Sequence, residues 1–196
     1  SRRLSLLLQL ERRARAAKGD ELAFLIANET FGLVPYRQAF LWSGAPQERI
    51  LAMSGIATVE RNAPMVAWLE KLFGTIARSD ASGPRTLTVQ DAPQAYRQDW
   101  SEWLPPYLVW LPLGHGADVL VLGRETELAE SDRQLLGFLV DAYGHALAAQ
   151  RPRSLTARSL NLAARRKRLI AAGAAALALL VAFLPVRQTA LAPAEI

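Results

Sequence analysis

The sequence predicts an α+β domain, an antiparallel sheet with helices segregated from it, followed by a single membrane-spanning helix. Three observations carry that expectation. Two pairs of strand-like segments are each joined by a tight turn, which is the mark of antiparallel pairing. Segments with a 3.6-residue apolar period stand before, between and after them. Finally, Leu169–Val186 runs 18 residues without a charge. As a helix rising about 1.5 Å per residue it reaches roughly 27 Å, close to one hydrocarbon core.

In chain order, Ser1–Lys18 reads as a helix with Leu4, Leu7 and Leu8 on one side and Arg2, Arg12, Arg13 and Arg15 toward solvent. Gly19-Asp20 interrupts it, and Glu21–Thr30 forms a second helix that Phe31-Gly32 ends. Leu33–Trp42 reads as a strand, with Pro35 pointing to an edge position or a later onset. Ser43–Pro46 is turn chemistry, and Arg49–Ser54 completes a hairpin. Asn62 and Pro64 open a helix on which Met65, Trp68, Leu69, Leu72, Phe73 and Ile76 recur at helical spacing.

Ser79–Pro84 is a loop and Arg85–Val89 a short strand; Asp91–Trp103 is helical in part, until Pro105-Pro106 stops it. Tyr107–Leu113 and Asp118–Gly123 are two strong strands around Gly114-His115-Gly116. Ser131 and Gln134 have the spacing of a capping box for a last helix, with Leu135, Leu136, Leu139, Val140, Tyr143 and Leu147 on one face. Pro152 breaks that helix, and Arg153–Arg168 resumes as an amphipathic helix toward the membrane.

Charge is distributed unevenly. The chain carries 23 basic and 18 acidic residues, a net of +5. Residues 1–150 hold 15 basic and 17 acidic residues, a net of −2, whereas residues 151–168 hold seven basic residues and no acid. The high isoelectric point therefore belongs to a juxtamembrane segment. This argues against a nucleic-acid-binding face and for contact with anionic inner-membrane lipids. Arg165, Arg166, Lys167 and Arg168 orient the apolar helix, because basic residues are retained on the cytoplasmic side. The expected topology is single-pass in a bacterial inner membrane, with the N-terminal domain cytoplasmic and the C-terminus periplasmic. The segments are then 1–18, an N-terminal helix; 19–150, the domain; 151–168, the basic helix; 169–186, the membrane helix; and 187–196, the start of a periplasmic region.

The absence of cysteine excludes disulfides, thiol nucleophiles and Cys-ligated metals. Two histidines, His115 and His145, without an HExxH or similar spacing give no metal centre. Asp141 and His145 stand at i, i+4 and read as a surface pair; Ser43 and Ser54 lack the flanks of a nucleophile elbow. Gly114-His115-Gly116 lies between two strands and is too short for a phosphate loop. No catalytic residue, no metal and no cofactor is expected.

The order of elements resembles a GAF domain over about residues 19–150. Tyr107–Leu113 looks like that family's penultimate strand, Val119–Arg124 like its last, and Glu127–Leu136 like the acidic lead-in to its closing helix. The resemblance implies a GAF/PAS-like fold and a sensing or interaction role. It implies neither cyclic-nucleotide nor bilin binding, since the NKFDE-type motif and the chromophore cysteine are missing. Trp42, Trp68, Trp100, Trp103 and Trp110 either fill core and interface positions or line a ligand cavity between sheet and helices, where GAF relatives hold theirs. Trp100 and Trp103, at i and i+3 among polar neighbours, are the strongest pocket or partner candidates and read as an exposed patch.

Beyond the apolar run, Leu184–Ile196 is similar to the start of the periplasmic part of HlyD-type membrane fusion proteins, with Ala192-Pro193-Ala194-Glu195-Ile196 as its first strand. That resemblance implies a periplasmic adaptor of an export or efflux system. Its partners would be an inner-membrane transporter and an outer-membrane channel. Small residues at Ala172, Gly173, Ala176 and Ala178 fit close helix packing in a homo-oligomer. The alternative is a membrane-bound GAF-domain sensory protein that binds a small ligand.

Overall fold

A computed structural model of the chain describes residues 2–79, 83–114 and 117–151. Arg165–Arg168, the apolar run 169–186, the strand-like tail 187–196 and His115 lie outside the described residues. Among the described residues no helix is long and apolar enough to cross a membrane.

Helices α1 (Arg2–Ala16) and α2 (Asp20–Glu29) open the chain. Strands β1 (Gln38–Ser43) and β2 (Arg49–Met53) follow, then helix α3 (Pro64–Ser79) and strand β3 (Arg85–Leu87). Two single-turn helices, α4 (Gln94–Arg97) and α5 (Trp100–Trp103), lead to strands β4 (Tyr107–Pro112) and β5 (Asp118–Arg124). Helix α6 (Glu130–Gln150) closes the unit. The five strands form one antiparallel sheet in the order β2-β1-β5-β4-β3.

Alternation along the strands sends side chains to two separate cores. Leu41, Leu120, Leu122, Val109 and Leu111 pack with α1, α2 and α6 on one face. Phe40, Trp42, Leu108, Trp110, Val119 and Val121 pack with α3 and the α4–α5 region on the other. The strands thus bury both faces, which explains why β4 and β5 read as nearly continuous apolar runs rather than alternating ones. Helix α1 belongs to this unit: Leu7, Leu10 and Ala14 enter the first core, and the compact body runs from the N-terminus through Arg151.

Several sequence expectations shift. The segment Leu33–Tyr36 is not strand. A 3-10 turn over Thr30–Gly32 continues α2, the backbone N–H groups of Leu33 and Val34 donate to the Thr30 carbonyl, and pairing begins at Gln38. The Tyr36 hydroxyl donates to the Ala27 carbonyl at 2.7 Å and accepts from the Phe31 N–H at 3.1 Å, which fixes the turn onto α2. Strand β3 stops at Leu87. The Asp91 carboxylate accepts the Thr88 N–H and hydroxyl, both at 2.8 Å, and folds residues 88–91 into a turn.

The predicted Ser131–Gln134 capping box does not form. Helix α6 starts at Glu130 with extended Ala129 as its N-cap and no side-chain cap. Glu130 and Asp132 lie in its first turn, where the helix dipole favours negative charge. Asp132 is instead the partner of Arg3 at 2.5 Å.

Candidate functional site

The residues that read as site candidates gather on one face of the sheet. Trp42 comes from β1 and Trp110 from β4, and both point away from α1, α2 and α6. Trp100 is buried in the same cluster, while Trp68 of α3 and Trp103 of α5 are half-buried against it. Strand register makes this possible: Trp42 pairs with Val119 and Trp110 with Val121, which places the two indoles two residues apart along β5 on a common face.

Ring geometry inside the layer is dense. Trp42 and Trp110 centroids are 6.1 Å apart, Phe73 meets Trp110 edge-on at 5.9 Å, and Phe40 meets Phe73 at 5.6 Å. At the periphery Trp68 meets Tyr96 at 5.8 Å. Such separations are within the favourable range for offset and edge-to-face pairs. Gly44 is required here, because a Cβ at that position would stand 2.9 Å from the Trp42 ring.

The polar atoms of the layer are less settled than its rings. Trp42 Nε1 and Trp110 Nε1 are buried with no acceptor among the described residues, and so is Arg85 Nε. Arg85 pairs directly with Trp110 across β3 and β4, so its side chain leaves the sheet on the same face. Its Nη2 reaches the Ile76 carbonyl only at 3.5 Å. Each orphaned buried donor costs on the order of 1–3 kcal/mol. All three atoms are N–H donors, so the layer suits a guest that brings acceptors. By contrast the Trp100 Nε1–H is satisfied by the Pro105 carbonyl at 3.1 Å. Trp100 is therefore no exposed patch. Its indole locks the turn before β4, and only Trp103 keeps part of its surface open.

A cleft of about 690 Å³ opens beside the layer, lined by Val89, Arg97, Trp100, Leu104, Pro105 and Tyr107 among others. Trp100 forms part of both the cleft wall and the buried cluster. Gly123 shapes one side: a Cβ there would meet Pro105 Cγ at 2.8 Å and Gln38 Cγ at 2.9 Å, so the glycine lets the proline lie over the sheet. Arg97 Nε and Nη2 donate to the carbonyls of Ala92 and Gln90, each at 2.9 Å, and brace the loop above the cleft. Hydrogen bonds from Thr88 hold the Asp91 carboxyl in that loop below its ordinary value, so it is ionised at neutral pH.

The remaining candidates do not converge. Asp132 pairs with Arg3, and Tyr143 is buried with its hydroxyl 2.9 Å from Thr30 Oγ1. Burial pushes the Tyr143 and Tyr36 hydroxyls above the ordinary tyrosine range, and both stay protonated. Asp141 and His145 are exposed on α6. Among the described residues no cluster of three or more His, Cys, Asp or Glu is placed to hold a metal ion.

Solved structures with this architecture are numerous. The phycocyanobilin-bound GAF domain of a cyanobacterial phytochrome matches with a TM-score of 0.55 over 76% of this chain and 94% of that one. The fold is GAF-like. The phycoerythrobilin-bound GAF domain of a cyanobacterial phytochrome gives 0.54 over 74% and 94%, and a methyl-accepting chemotaxis protein gives 0.50 over 71% and 95%. Identities of 13%, 13% and 14% mean that a shared fold is what these matches establish. No family model and no curated protein matches the chain.

Arg85 was invisible as a site residue from sequence. Its place depends on the β3–β4 register, which three residues of strand do not announce. The tryptophans were visible because indole is scarce and costly to place.

Proposed function

We propose that this chain is the cytoplasmic GAF-like sensing module of a membrane-anchored, non-enzymatic protein, and in the finer reading the N-terminal part of a HlyD-type periplasmic adaptor. The observation that carries the sensing role is the aromatic layer with three buried N–H donors and no acceptor. The guest it suits is a small, flat, largely apolar molecule with a carbonyl, carboxylate or sulfonate acceptor, entering from the cleft beside Trp100. The unpartnered donors make the empty layer costly and the filled one favourable, which is how a ligand shifts a population between two states. Anchoring rests on the apolar run 169–186 behind Arg165–Arg168, and the adaptor reading on Leu184–Ile196. Under that reading the partners are an inner-membrane transporter and an outer-membrane channel.

The alternative is a membrane-bound sensory protein whose GAF-like domain reports to an output domain. The same layer would serve it. The two readings part on what the reading frame encodes after Ile196: a long coiled-coil hairpin flanked by lipoyl-like halves supports the adaptor, and its absence removes that reading. In cells, deletion of residues 1–150 should impair export or complex assembly; an unchanged phenotype in both would count against any role for the module in transport.

For the site, anilinonaphthalene sulfonate is a suitable probe, since it combines aromatic rings with an acceptor group. Trp110→Phe keeps an aromatic ring, though a smaller one, and deletes one donor. It should weaken probe binding about tenfold, the worth of roughly one hydrogen bond. Equal binding by wild type and by a Trp110→Phe, Arg85→Met double variant would refute the donor-lined site.

A further inference from the structure

The C-terminal ends of α1 and α6 meet where the chain leaves the compact body. Gln150 ties them together: its Oε1 accepts the Gly19 N–H at 2.6 Å, and its Nε2 donates to the Ala17 carbonyl at 2.9 Å. Beside this clasp the helices leave a groove of about 360 Å³. Its floor is made of small side chains, Ala17 after α1 and Ala146 and Ala149 on α6. Larger apolar residues there would fill the space, as they do elsewhere between packed helices.

The rim of the groove carries one kind of chemistry. Arg15, Lys18 and His145 line it, and among the described residues no carboxylate joins them. All three are exposed. Lys18 makes no ion pair among the described residues. Arg15 has Glu11 at 3.6 Å, but its side chain is 73% exposed, and a solvated pair of that length is worth little. The other nearby acids do not neutralise the rim: Glu29 is held by Arg13, and Asp141 stands a turn before His145 outside the groove. Cations at the end of α1 also offset its dipole. That accounts for Arg15 and Lys18, but not for the alanines of α6 that keep the space before them open.

We infer that this groove binds a phosphate ester with a small polar body, of the size of glycerol phosphate, free or as the headgroup of an anionic lipid. A guanidinium grips two phosphate oxygens at once, an ammonium adds a compact charge, and the imidazole N–H is a further donor. The groove belongs to the α1/α2/α6 side of the sheet, opposite the aromatic layer, and is independent of it. Arg151 follows Gln150 directly and begins the seven basic residues of 151–168. A headgroup as the source therefore accords with the anchor reading; the groove itself does not rest on it.

The test uses the full chain in dodecyl maltoside, titrated calorimetrically with glycerol 3-phosphate, with tryptophan fluorescence reporting the fold. Wild type should bind. Arg15→Gln and Lys18→Gln should each weaken binding about tenfold, the worth of one charge-assisted hydrogen bond. Ala149→Leu keeps every charge and fills the groove from an exposed position, and it should weaken binding at least as much. Arg12→Gln removes a cation of α1 that does not line the groove and should leave binding unchanged. Doping the micelles with phosphatidylglycerol identifies the source. Competition with glycerol 3-phosphate marks a lipid headgroup and unchanged binding a soluble ester; either outcome keeps the groove. A wild type that does not bind, or binding indifferent to Lys18→Gln, overturns the proposal. So does an Ala149→Leu chain that binds like wild type, which would assign the phosphate to the basic residues of 151–168 instead.

Discussion

Two glycines on α6 allow the packing of this helix to be tested with one chemical change made twice. Glycine inside a helix is about 1 kcal/mol less favourable than alanine, because alanine loses less backbone freedom. Gly137 is exposed and a Cβ built on it would meet nothing within 4 Å. Gly137→Ala should therefore stabilise the protein by close to the full ~1 kcal/mol. Gly144 faces the β4–β5 turn, where a Cβ would stand 2.8 Å from Gly114 N, 3.0 Å from Gly114 Cα and 3.0 Å from the Leu113 carbonyl carbon. All three are backbone atoms, and Gly114 is itself held at φ +65°, so no flexible side chain can move aside. Overpacking of this kind costs about 1–3 kcal/mol, against the same ~1 kcal/mol gain. Gly144→Ala should be neutral to ~2 kcal/mol destabilising, so the two variants should differ by about 1–3 kcal/mol. For a body of this size that is a difference of roughly 2–10 °C in Tm. All five tryptophans precede residue 151, so tryptophan fluorescence of the whole chain reports on this body alone during thermal or urea unfolding. A Gly144→Ala protein as stable as Gly137→Ala would refute the claim that α6 rests on the turn at backbone contact.

Other outcomes follow from buried polar contacts. Thr30→Val should cost about 1–3 kcal/mol, because it removes the hydroxyl that donates to Ile26 and leaves the Tyr143 hydroxyl buried without its partner; urea unfolding measures it. Tyr143→Phe should cost less, since Thr30 keeps its bond to the Ile26 carbonyl. Stability should fall at alkaline pH. Unfolded tyrosines ionise near 10.0, while Tyr36 and Tyr143 have raised values in the folded state. Their contribution is thus complete below pH 10 and is lost as pH rises toward the folded values, and Phe at both positions should flatten the loss. Arg151→Ala should destabilise by roughly 1–3 kcal/mol, because it leaves the buried Asp118 carboxylate, bonded to Arg151 at 2.6 Å, without a cation. Asp118→Asn made in that background should recover part of it.

How much of this was legible beforehand depended on whether the deciding contact was local. The β4–β5 hairpin and α6 were readable because their signals repeat: two apolar runs around Gly114, then an unbroken helical period. The onset of β1 was misplaced because Leu33–Tyr36 is apolar for a different reason. It packs beneath α2 through the Tyr36 hydroxyl, and burial alone does not distinguish a strand from a buried turn. The capping box failed because α6 starts at Glu130, one residue before Ser131, so Ser131 lies inside the first turn and Ala129 takes the cap position without a side chain's help. The five tryptophans were recognised one at a time, but not that they share a face. That fact lives in the pairing of Trp42 and Trp110 through β5, and no window of sequence contains it.

The two faces of the sheet therefore answer different demands. On the α1/α2/α6 face the hydroxyls of Thr30, Tyr36 and Tyr143 have partners and the rest of the core is aliphatic, while Thr86 Oγ1 and Asp118 Oδ1, at strand positions of the same parity, are buried without one among the described residues. On the α3 face the packing is aromatic and three N–H donors lack acceptors, so that side retains a free-energy reason to change when an acceptor arrives. The strands between them are shared: Val121 of β5 packs toward Trp110, while its neighbours Leu120 and Leu122 pack toward α6. A guest that displaced β5 would therefore move residues of both cores. Asp118, the first residue of β5, is bound to Arg151, the last described residue and the first of the basic segment. The route from an aromatic layer to the chain's exit is thus one strand and one ion pair long. Breaking that pair with Arg151→Ala should leave probe binding intact while uncoupling it from any change beyond residue 151. If the same variant abolished probe binding, Asp118 would be a support of the layer itself and not a link away from it.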